Sequence, residues 1–184
     1  MPRIAPSSTG RTSMEKLMGH APHILDPWTK LEDAFFASKT FSPALLEQVR
    51  RTLALATGCH YCQAKGGPPD HSHADSRTAA AVELAEHFAR DHRSIDEVVL
   101  SRARDHFADA ELCELIMFMG FMWAGGTFGA VLGLEPLHSI SDVGRHRNSL
   151  EAGDTDDQIG DPKGEARPGR PPQSVDGGVK SPKR

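Results

Sequence analysis

The sequence contains few cysteines and no recognisable secretory leader. Its three cysteines, Cys59, Cys62 and Cys113, are an odd number, which argues against the disulfide framework of a small secreted protein. The N-terminal stretch MPRIAPSSTGRTSMEK lacks the apolar core of a signal peptide. We therefore expect a reducing, cytoplasmic setting for this chain.

An excess of positive charge is also missing. The chain has 21 Lys and Arg against 25 Asp and Glu, which gives a formal net charge of −4 at pH 7. Nucleic-acid-binding domains and proteins that dock on acidic membranes usually carry a basic surface. We expect neither nucleic acid nor a membrane among the partners.

The third feature that the sequence lacks is a strand pattern. β-Branched residues do not alternate with polar ones over more than a few positions, whereas apolar residues recur at helical spacing. Asp26-Pro27, Ser42-Pro43, Ser94 and Asp109 are helix start signals, and Gly58 is a stop signal. The sequence predicts an all-α chain with helices over 14–19, 27–38, 43–57, 59–65, 76–91, 95–106 and 110–132.

Composition divides the chain into three parts. Residues 1–13 contain Pro, Ser, Thr and Gly and little to bury, which predicts a disordered N-terminus. Residues 14–140 are normally apolar and form the predicted helical domain. Residues 141–184 are rich in Gly, Pro and charge and are predicted to be a linker and a disordered tail.

One predicted helix is long and apolar enough to raise the question of a membrane. Leu115 to Leu134 carries no charged residue, and Gly125, Gly129 and Gly133 are spaced by four, as in closely packed membrane helices. The alternative is a soluble helix buried inside an oligomer. The acidic residues before this run continue the helical pattern, so we favour the soluble alternative.

Most of the chemistry in the sequence lies at Cys59 and Cys62. A C-x-x-C pair can cycle between dithiol and disulfide, and this is the interpretation we favour. A metal site with His71 and His73 is an alternative, but zinc sites usually separate two histidines by three to five residues. Two thiols packed in an apolar core are the third possibility, and the polar neighbours of the pair argue against it. Cys113 is most simply a core thiol.

Glu47 lies before the cysteines on the predicted helix 43–57. An exposed ion pair with Arg51, four residues later, would explain this residue without any function. If the chain turns at Gly58, however, the carboxylate can face the thiols and accept a proton from one of them. Both interpretations remain open from the sequence.

Glu47, eleven intervening residues and then Gly58-Cys59-His60-Tyr61-Cys62 resemble the active-site signature of the carboxymuconolactone decarboxylase/alkylhydroperoxidase D-like (AhpD-like) superfamily. The resemblance covers roughly residues 17–136. It implies an AhpD-like helical bundle that assembles as a homo-oligomer, a trimer or a hexamer. It also implies a thiol-based peroxidase or disulfide reductase activity in members with both cysteines.

The resemblance assigns roles to individual residues. Cys62 would attack the peroxide, Cys59 would resolve the sulfenic acid as a disulfide, and Glu47 would belong to the proton relay. The family motif has histidines at the positions of Tyr61 and Gly66, so two relay imidazoles are missing here. His60, His71 or His73 are candidates to replace them, and His60 is included with the predicted catalytic residues.

The resemblance thus predicts a thiol–disulfide oxidoreductase or an alkylhydroperoxidase-like antioxidant protein. Its partners would be a hydroperoxide or disulfide substrate and a thiol, dithiol or lipoyl-type reductant, with no cofactor and no metal ion. The alternative is a non-catalytic helical oligomer with a decayed site, used for binding or assembly. A decarboxylase-type lyase is disfavoured, because that branch of the family typically lacks the C-x-x-C pair.

Overall fold

The computed structural model of the protein describes residues 1–72 and 75–136, and every regular element in those two ranges is helical. The α-helices there are α1 (Ser13–Met18), α2 (Pro22–Ala37), α3 (Pro43–Thr57), α4 (His60–Ala64), α5 (Ser76–Asp91), α6 (Glu97–Arg104) and α7 (Asp109–Val131). A 3₁₀ helix, His92–Ser94, joins α5 to α6. The all-α prediction is confirmed for these residues. The predicted linker and tail, 141–184, lie outside them.

Helix α3 packs against both α5 and α7 and organises the core. Its buried side chains Leu46, Val49 and Leu53 recur at the spacing that places them on one helix face. Each such side chain stabilises the fold by roughly 1.5–3 kcal/mol when fully buried. They join a larger cluster of buried residues that includes Ala81, Leu84, Leu115, Phe118 and Met119.

The two ends of α3 are where the sequence predicts them. Ser42 is the N-cap, and its side-chain oxygen accepts a hydrogen bond from the backbone N–H of Leu45 at 3.2 Å. Pro43 occupies the first helical position, where no intrahelical donor is needed. Gly58 ends the helix in the left-handed conformation, with φ of 69°, which glycine adopts without steric cost.

The helix predicted over 76–91 is also confirmed, and α4 is slightly shorter than predicted. Asp75 caps α5, because its carboxylate accepts a hydrogen bond from the backbone N–H of Thr78 at 2.8 Å. Helix α4 covers His60–Ala64 instead of 59–65, since Cys59 is its N-cap and lies outside the helical turn.

The predicted start of α2 at Pro27 is wrong. The helix begins five residues earlier at Pro22, and Pro27 lies inside it, where it has no N–H to donate to the helical ladder. The extra turn buries Leu25, which is 8% exposed. Asp26 is not the cap; its carboxylate instead accepts a hydrogen bond from the Lys30 ammonium at 2.8 Å. The sequence favoured the later start because Asp26-Pro27 offers both a capping residue and a proline, whereas Ala21, before Pro22, has no capping side chain.

The predicted boundaries of α6 and its cap also need correction. Helix α6 covers Glu97–Arg104, and Asp96 caps it by accepting hydrogen bonds from the N–H groups of Val98 and Val99. Ser94 ends the preceding 3₁₀ helix, where its hydroxyl donates to the carbonyl oxygen of Asp91 at 2.7 Å. Ser94 and Asp96 are both residue types that cap helices, and in the structure Asp96 caps α6.

The N-terminal residues, which composition predicts to be disordered, are held against helix ends. The backbone N–H and the guanidinium of Arg3 donate to the carbonyl oxygens of Leu132 and Val131, both at 2.7 Å. These carbonyls lie at the C-terminal end of α7, where no N–H group of the helix is available to donate to them. The Ser7 hydroxyl donates to the carbonyl oxygen of Lys16 at 2.7 Å in the same way.

Helix α7 is the one helix in the described ranges that is long and apolar enough to cross a membrane by length and composition. Its mean hydropathy is 1.3 over the most apolar stretch, of which 44% is buried within the chain. The buried side includes Leu115, Phe118 and Met119, which join the core around α3. The exposed side carries Met117, which is 56% exposed.

We predict that Phe118→Ala destabilises the protein by about 3–5 kcal/mol, because it leaves a cavity in the core. Phe118 is 0% exposed, and its ring packs edge-on against Phe35 and Phe36 with centroid distances of 5.5 and 5.8 Å. The control is Thr127→Ala, on the exposed side of the same helix. Denaturant unfolding of both variants measures the difference, and equal losses would contradict this placement of the core.

Candidate active site

The two cysteines follow the turn at Gly58 and lie at the start of α4. Cys59 is the N-cap, and its sulfur accepts a hydrogen bond from the backbone N–H of Cys62 at 3.3 Å. The two sulfurs are joined as a disulfide, and the Cα atoms are 5.2 Å apart, a usual separation for such a bond. The C-x-x-C pair is therefore placed to cycle between the dithiol and the disulfide.

The two sulfurs differ in their access to solvent. Cys59 is completely buried, in a small apolar cluster with Leu17, Tyr61 and Leu134. Cys62 is partly exposed and lines a pocket, whereas Cys59 does not. A reagent that enters this pocket therefore meets the sulfur of Cys62 first.

Helix α7 approaches the disulfide closely at a glycine. A Cβ atom added at Gly129 would lie 2.6 Å from the Cys59 sulfur and 3.8 Å from the Cys62 sulfur. The first distance is far below van der Waals contact, so only glycine allows this packing. The regular spacing of the glycines in this region suggested close helix packing. In the structure, Gly129 makes room for the disulfide.

Glu47 is held by two arginines of its own helix. Its carboxylate accepts a bidentate hydrogen bond from Arg50, with both distances 2.7 Å, and a third bond from Arg51 at 2.8 Å. Burial alone would raise the pKa of Glu47, but the hydrogen bonds and charges of both arginines outweigh it and lower the pKa below 4.5. As placed here, the carboxylate is a weak proton acceptor.

Arg50 connects this carboxylate to the cysteine turn. Its side chain is 5% exposed, and one guanidinium N–H donates to the carbonyl oxygen of Cys62 at 3.0 Å. Glu47 therefore reaches the C-x-x-C segment through Arg50 and the backbone. The sequence offered an exposed Glu47–Arg51 pair or a carboxylate facing the thiols; the structure has the ion pair, with Glu47 largely buried and linked to Cys62 indirectly.

Gly66 provides the space for this arrangement. A Cβ atom at this position would overlap the Arg50 guanidinium and the Glu47 carboxylate. The family signature has a histidine here, and a histidine cannot fit while the two side chains keep these positions. The Glu47–Arg50 pair thus occupies the volume in which a relay imidazole was expected.

The remaining predicted candidates lie away from the pocket wall. His60 is 68% exposed, and its Nδ1 atom lies 3.8 Å from a carboxylate oxygen of Glu135. His71 is exposed, and His73 lies outside the described residues. In the ranges 1–72 and 75–136, no group of three or more His, Cys, Asp or Glu side chains is arranged to hold a metal ion. Cys113 is exposed, so the expectation of a core thiol is wrong.

The pocket beside Cys62 brings together helices that are distant in sequence. It has a volume of about 60 Å³, enough for a few water molecules. Its apolar walls come from α2 and α7, where the rings of Trp28 and Phe121 pack with centroids 4.4 Å apart. Its charged lining residues are Glu32, Arg50 and Lys65.

Glu32 and Lys65 were not among the sequence candidates. Burial of Glu32 raises the pKa of its carboxyl above 4.5, and the nearby Lys65 and Arg50 charges offset this only in part. The Lys65 ammonium lies 4.8 Å from the centroid of the Tyr61 ring, within the range of a cation–π contact. Glu32 follows Trp28 by four residues on α2, but nothing in the sequence relates that helix face to the cysteines.

No protein-family model matches this chain, and no curated protein matches it significantly.

We predict that Gly129→Ala destabilises the oxidised protein by about 1–3 kcal/mol, because the new methyl group overpacks against the disulfide. The reduced protein should lose less, since a free Cys59 thiol can rotate away. Gly120→Ala is a matched control on the same helix, because a Cβ atom there meets nothing within 4 Å. Thermal unfolding of both variants, with and without dithiothreitol, measures the effect. An equal loss in the two redox states would contradict the contact.

We also predict a pH-dependent contribution of Glu47 to stability. Because its pKa is lowered on folding, the stabilisation is fully present above 4.5 and is lost as the pH falls through the lower folded value. Glu47→Gln should therefore be less stable than the wild type at neutral pH, and the difference should narrow below pH 4.5. Urea unfolding across this range tests it, with exposed Glu86→Gln as the control. A difference that does not change with pH would contradict the ion pair.

Proposed function

We propose that this chain is a thiol–disulfide oxidoreductase of the AhpD-like kind, which reduces hydroperoxides or disulfides through Cys59 and Cys62. The observation that carries this proposal is the disulfide with unequal access: Cys59 is buried and Cys62 lines the pocket. The same asymmetry agrees with the roles that the family resemblance assigns to the two residues. Cys62 is the attacking sulfur and Cys59 is the resolving sulfur.

The proposed reaction with a hydroperoxide has two steps. The Cys62 thiolate attacks the peroxide, the O–O bond breaks, and the products are a Cys62 sulfenic acid and an alcohol. The Cys59 thiol then attacks the sulfenic sulfur, water leaves, and the disulfide forms. Two electrons pass from the two thiols to the peroxide. The close approach of the sulfurs around the turn at α4 supports the second step.

The disulfide returns to the dithiol through an external reductant. We propose a protein dithiol or a lipoyl-type dithiol, which attacks Cys62 because that sulfur is the accessible one and leaves Cys59 as the thiolate. The second thiol of the reductant then resolves the mixed disulfide. The apolar side chains that line the pocket, such as Trp28 and Met122, suit an aliphatic chain attached to the reacting atom.

We further propose a cytoplasmic homo-oligomer, either a trimer or a hexamer. The support is the exposed apolar surface of the single chain, since Met117 on α7 and Leu55 on α3 are both 56% exposed. Met117 adjoins the exposed Ile116 on α7, and continuous apolar patches are typical of interfaces between proteins. Light scattering after gel filtration in the absence of detergent tests both the solubility and the subunit number.

A non-catalytic oligomer with a decayed site is the second candidate function. Two observations favour it. The predicted proton acceptor, Glu47, is held by Arg50 and Arg51, and its pKa is lowered. Tyr61 and Gly66 stand where the family has relay histidines, and His60 is directed to Glu135 at the surface.

Counting free thiols before and after treatment with a hydroperoxide separates the two candidates. The exposed Cys113 is first replaced in Cys113→Ser, so that two thiols remain per reduced chain. We predict that both thiols are lost together after one equivalent of cumene hydroperoxide. With Cys62→Ser in the same background, the rapid reaction should disappear, because Cys59 is buried.

Cys59→Ser provides the complementary variant, since it keeps the attacking sulfur but cannot form the disulfide. It should accumulate a Cys62 sulfenic acid that dimedone traps. Unchanged reactivity in Cys62→Ser, or no turnover with any dithiol donor, would favour the non-catalytic oligomer.

A further inference from the structure

The pocket beside Cys62 contains a carboxyl group that the family resemblance does not assign. Glu32 reaches this pocket from α2, and the partly exposed Cys62 lines its wall. Both residues line one pocket of about 60 Å³, which leaves room for water between them. A carboxyl group exchanges protons with a reacting group directly or through one water molecule.

The surroundings of Glu32 favour a proton-carrying role. Burial raises the pKa of this carboxyl most strongly, and the carboxylates of Asp33 on α2 and Glu15 on α1 raise it further. Lys65 and Arg50 act in the opposite direction without cancelling the rise. Helix α7 adds only uncharged groups to the pocket, namely Phe121, Met122, Gly125 and Gly126. The carboxyl therefore binds a proton more readily than an ordinary glutamate does.

Glu47 has the opposite properties. Its carboxylate accepts three hydrogen bonds from Arg50 and Arg51, which lower its pKa. Two carboxyl groups near a reacting centre whose environments separate their pKa values usually divide the work, one remaining charged and the other carrying protons. Here Glu47 has the environment of the permanently charged partner, and Glu32 has that of the proton carrier.

We propose that Glu32 is the proton carrier for Cys62 in this pocket, in the place of the histidines that the AhpD-like signature would supply. In the reaction with a hydroperoxide, the Glu32 carboxylate accepts the thiol proton as the sulfur attacks the O–O bond. The resulting carboxylic acid then gives that proton to the departing alkoxide. The thiol and peroxide become a sulfenic acid and an alcohol, and Glu32 returns to its starting form.

This assignment rests on the proposed function, but part of it can be tested without any peroxide. A carboxylate near Cys62 opposes formation of the thiolate, whereas the Lys65 ammonium favours it. The pH dependence of alkylation of the reduced protein by iodoacetamide reports on thiolate formation. In a Cys113→Ser background, Glu32→Gln should move the midpoint of Cys62 alkylation to lower pH, and Lys65→Gln should move it to higher pH.

The second measurement is the rate of Cys62 oxidation by cumene hydroperoxide as a function of pH. Glu32→Gln should slow this reaction by about 100-fold, the lower range of general acid–base effects. The wild-type rate should fall as the pH drops through the raised pKa of Glu32, because a protonated carboxyl accepts no proton. That dependence should vanish in Glu32→Gln, and Glu32→Asp should recover part of the rate and the dependence.

Asp26→Asn is the matched control, since this exposed residue on α2 is also acidic but neither lines the pocket nor contributes to the pKa shift of Glu32. It should leave the alkylation midpoint and the oxidation rate unchanged. Equal alkylation midpoints in wild type and Glu32→Gln would overturn the proposal, whether or not the protein reduces peroxide. A shifted midpoint in a protein that never reacts with hydroperoxides would place Glu32 beside the thiol and reject the peroxidase function alone.

Discussion

The buried guanidinium of Arg50 is the charge on which the arrangement around the cysteines depends. It is 5% exposed, so its charge is largely removed from water and must be compensated within the protein. Glu47 provides that compensation through a bidentate pair, and the carbonyl oxygen of Cys62 accepts a further N–H. Removing one partner of a buried pair typically costs about 3–5 kcal/mol, because the other charge remains unpaired. The hydrogen bond from Arg50 to the Cys62 carbonyl therefore links α3 to the cysteine turn, and Glu47 holds Arg50 in place.

This constraint accounts for one position at which the sequence differs from the AhpD-like signature that it resembles, Gly66, and for the lowered pKa of Glu47. With Arg50 directed at the Cys62 carbonyl, the space beside Gly66 is filled, and a side chain there would displace the Arg50 and Glu47 side chains from these positions. With both arginines bound to Glu47, its carboxylate is stabilised as an anion and loses basicity. A histidine at 66 and a basic carboxylate at 47 are thus both incompatible with the same buried ion pair. Under the proposed function, proton transfer to and from the dithiol therefore requires another group.

Much of the fold follows from local signals, because helix ends are set by neighbouring residues. Ser42-Pro43 and Gly58 fix the limits of α3 through one cap hydrogen bond and one left-handed residue. Where two residues compete for the same local role, the sequence was ambiguous. Pro22 and Pro27 both suit the first turn of α2, and the burial of Leu25 favours the earlier start.

The candidate site was predictable only in part, because local sequence signals do not show how separate helices pack. The spacing of Cys59 and Cys62 identifies the dithiol directly, since both residues belong to one turn. The exposed state of Cys113 and the position of Glu32 depend on how separate helices pack, which no local pattern records. The sequence also left open which group the Glu47 carboxylate faces. Arg50 and Arg51 lie within reach on the same helix, and the turn at Gly58 can bring the cysteines near as well.

The pocket places opposite requirements on its lining residues. Trp28 and Phe121 line the same pocket as Glu32, and burial raises the pKa of the Glu32 carboxyl, which makes it a better proton acceptor. A carboxylate alone in such a place would oppose the thiolate at Cys62. Lys65 lines the same pocket and offsets that opposition without cancelling the rise in pKa. In the proposed mechanism, a half-buried acid and a nearby lysine thus provide for thiolate formation and proton transfer in one small pocket without an imidazole.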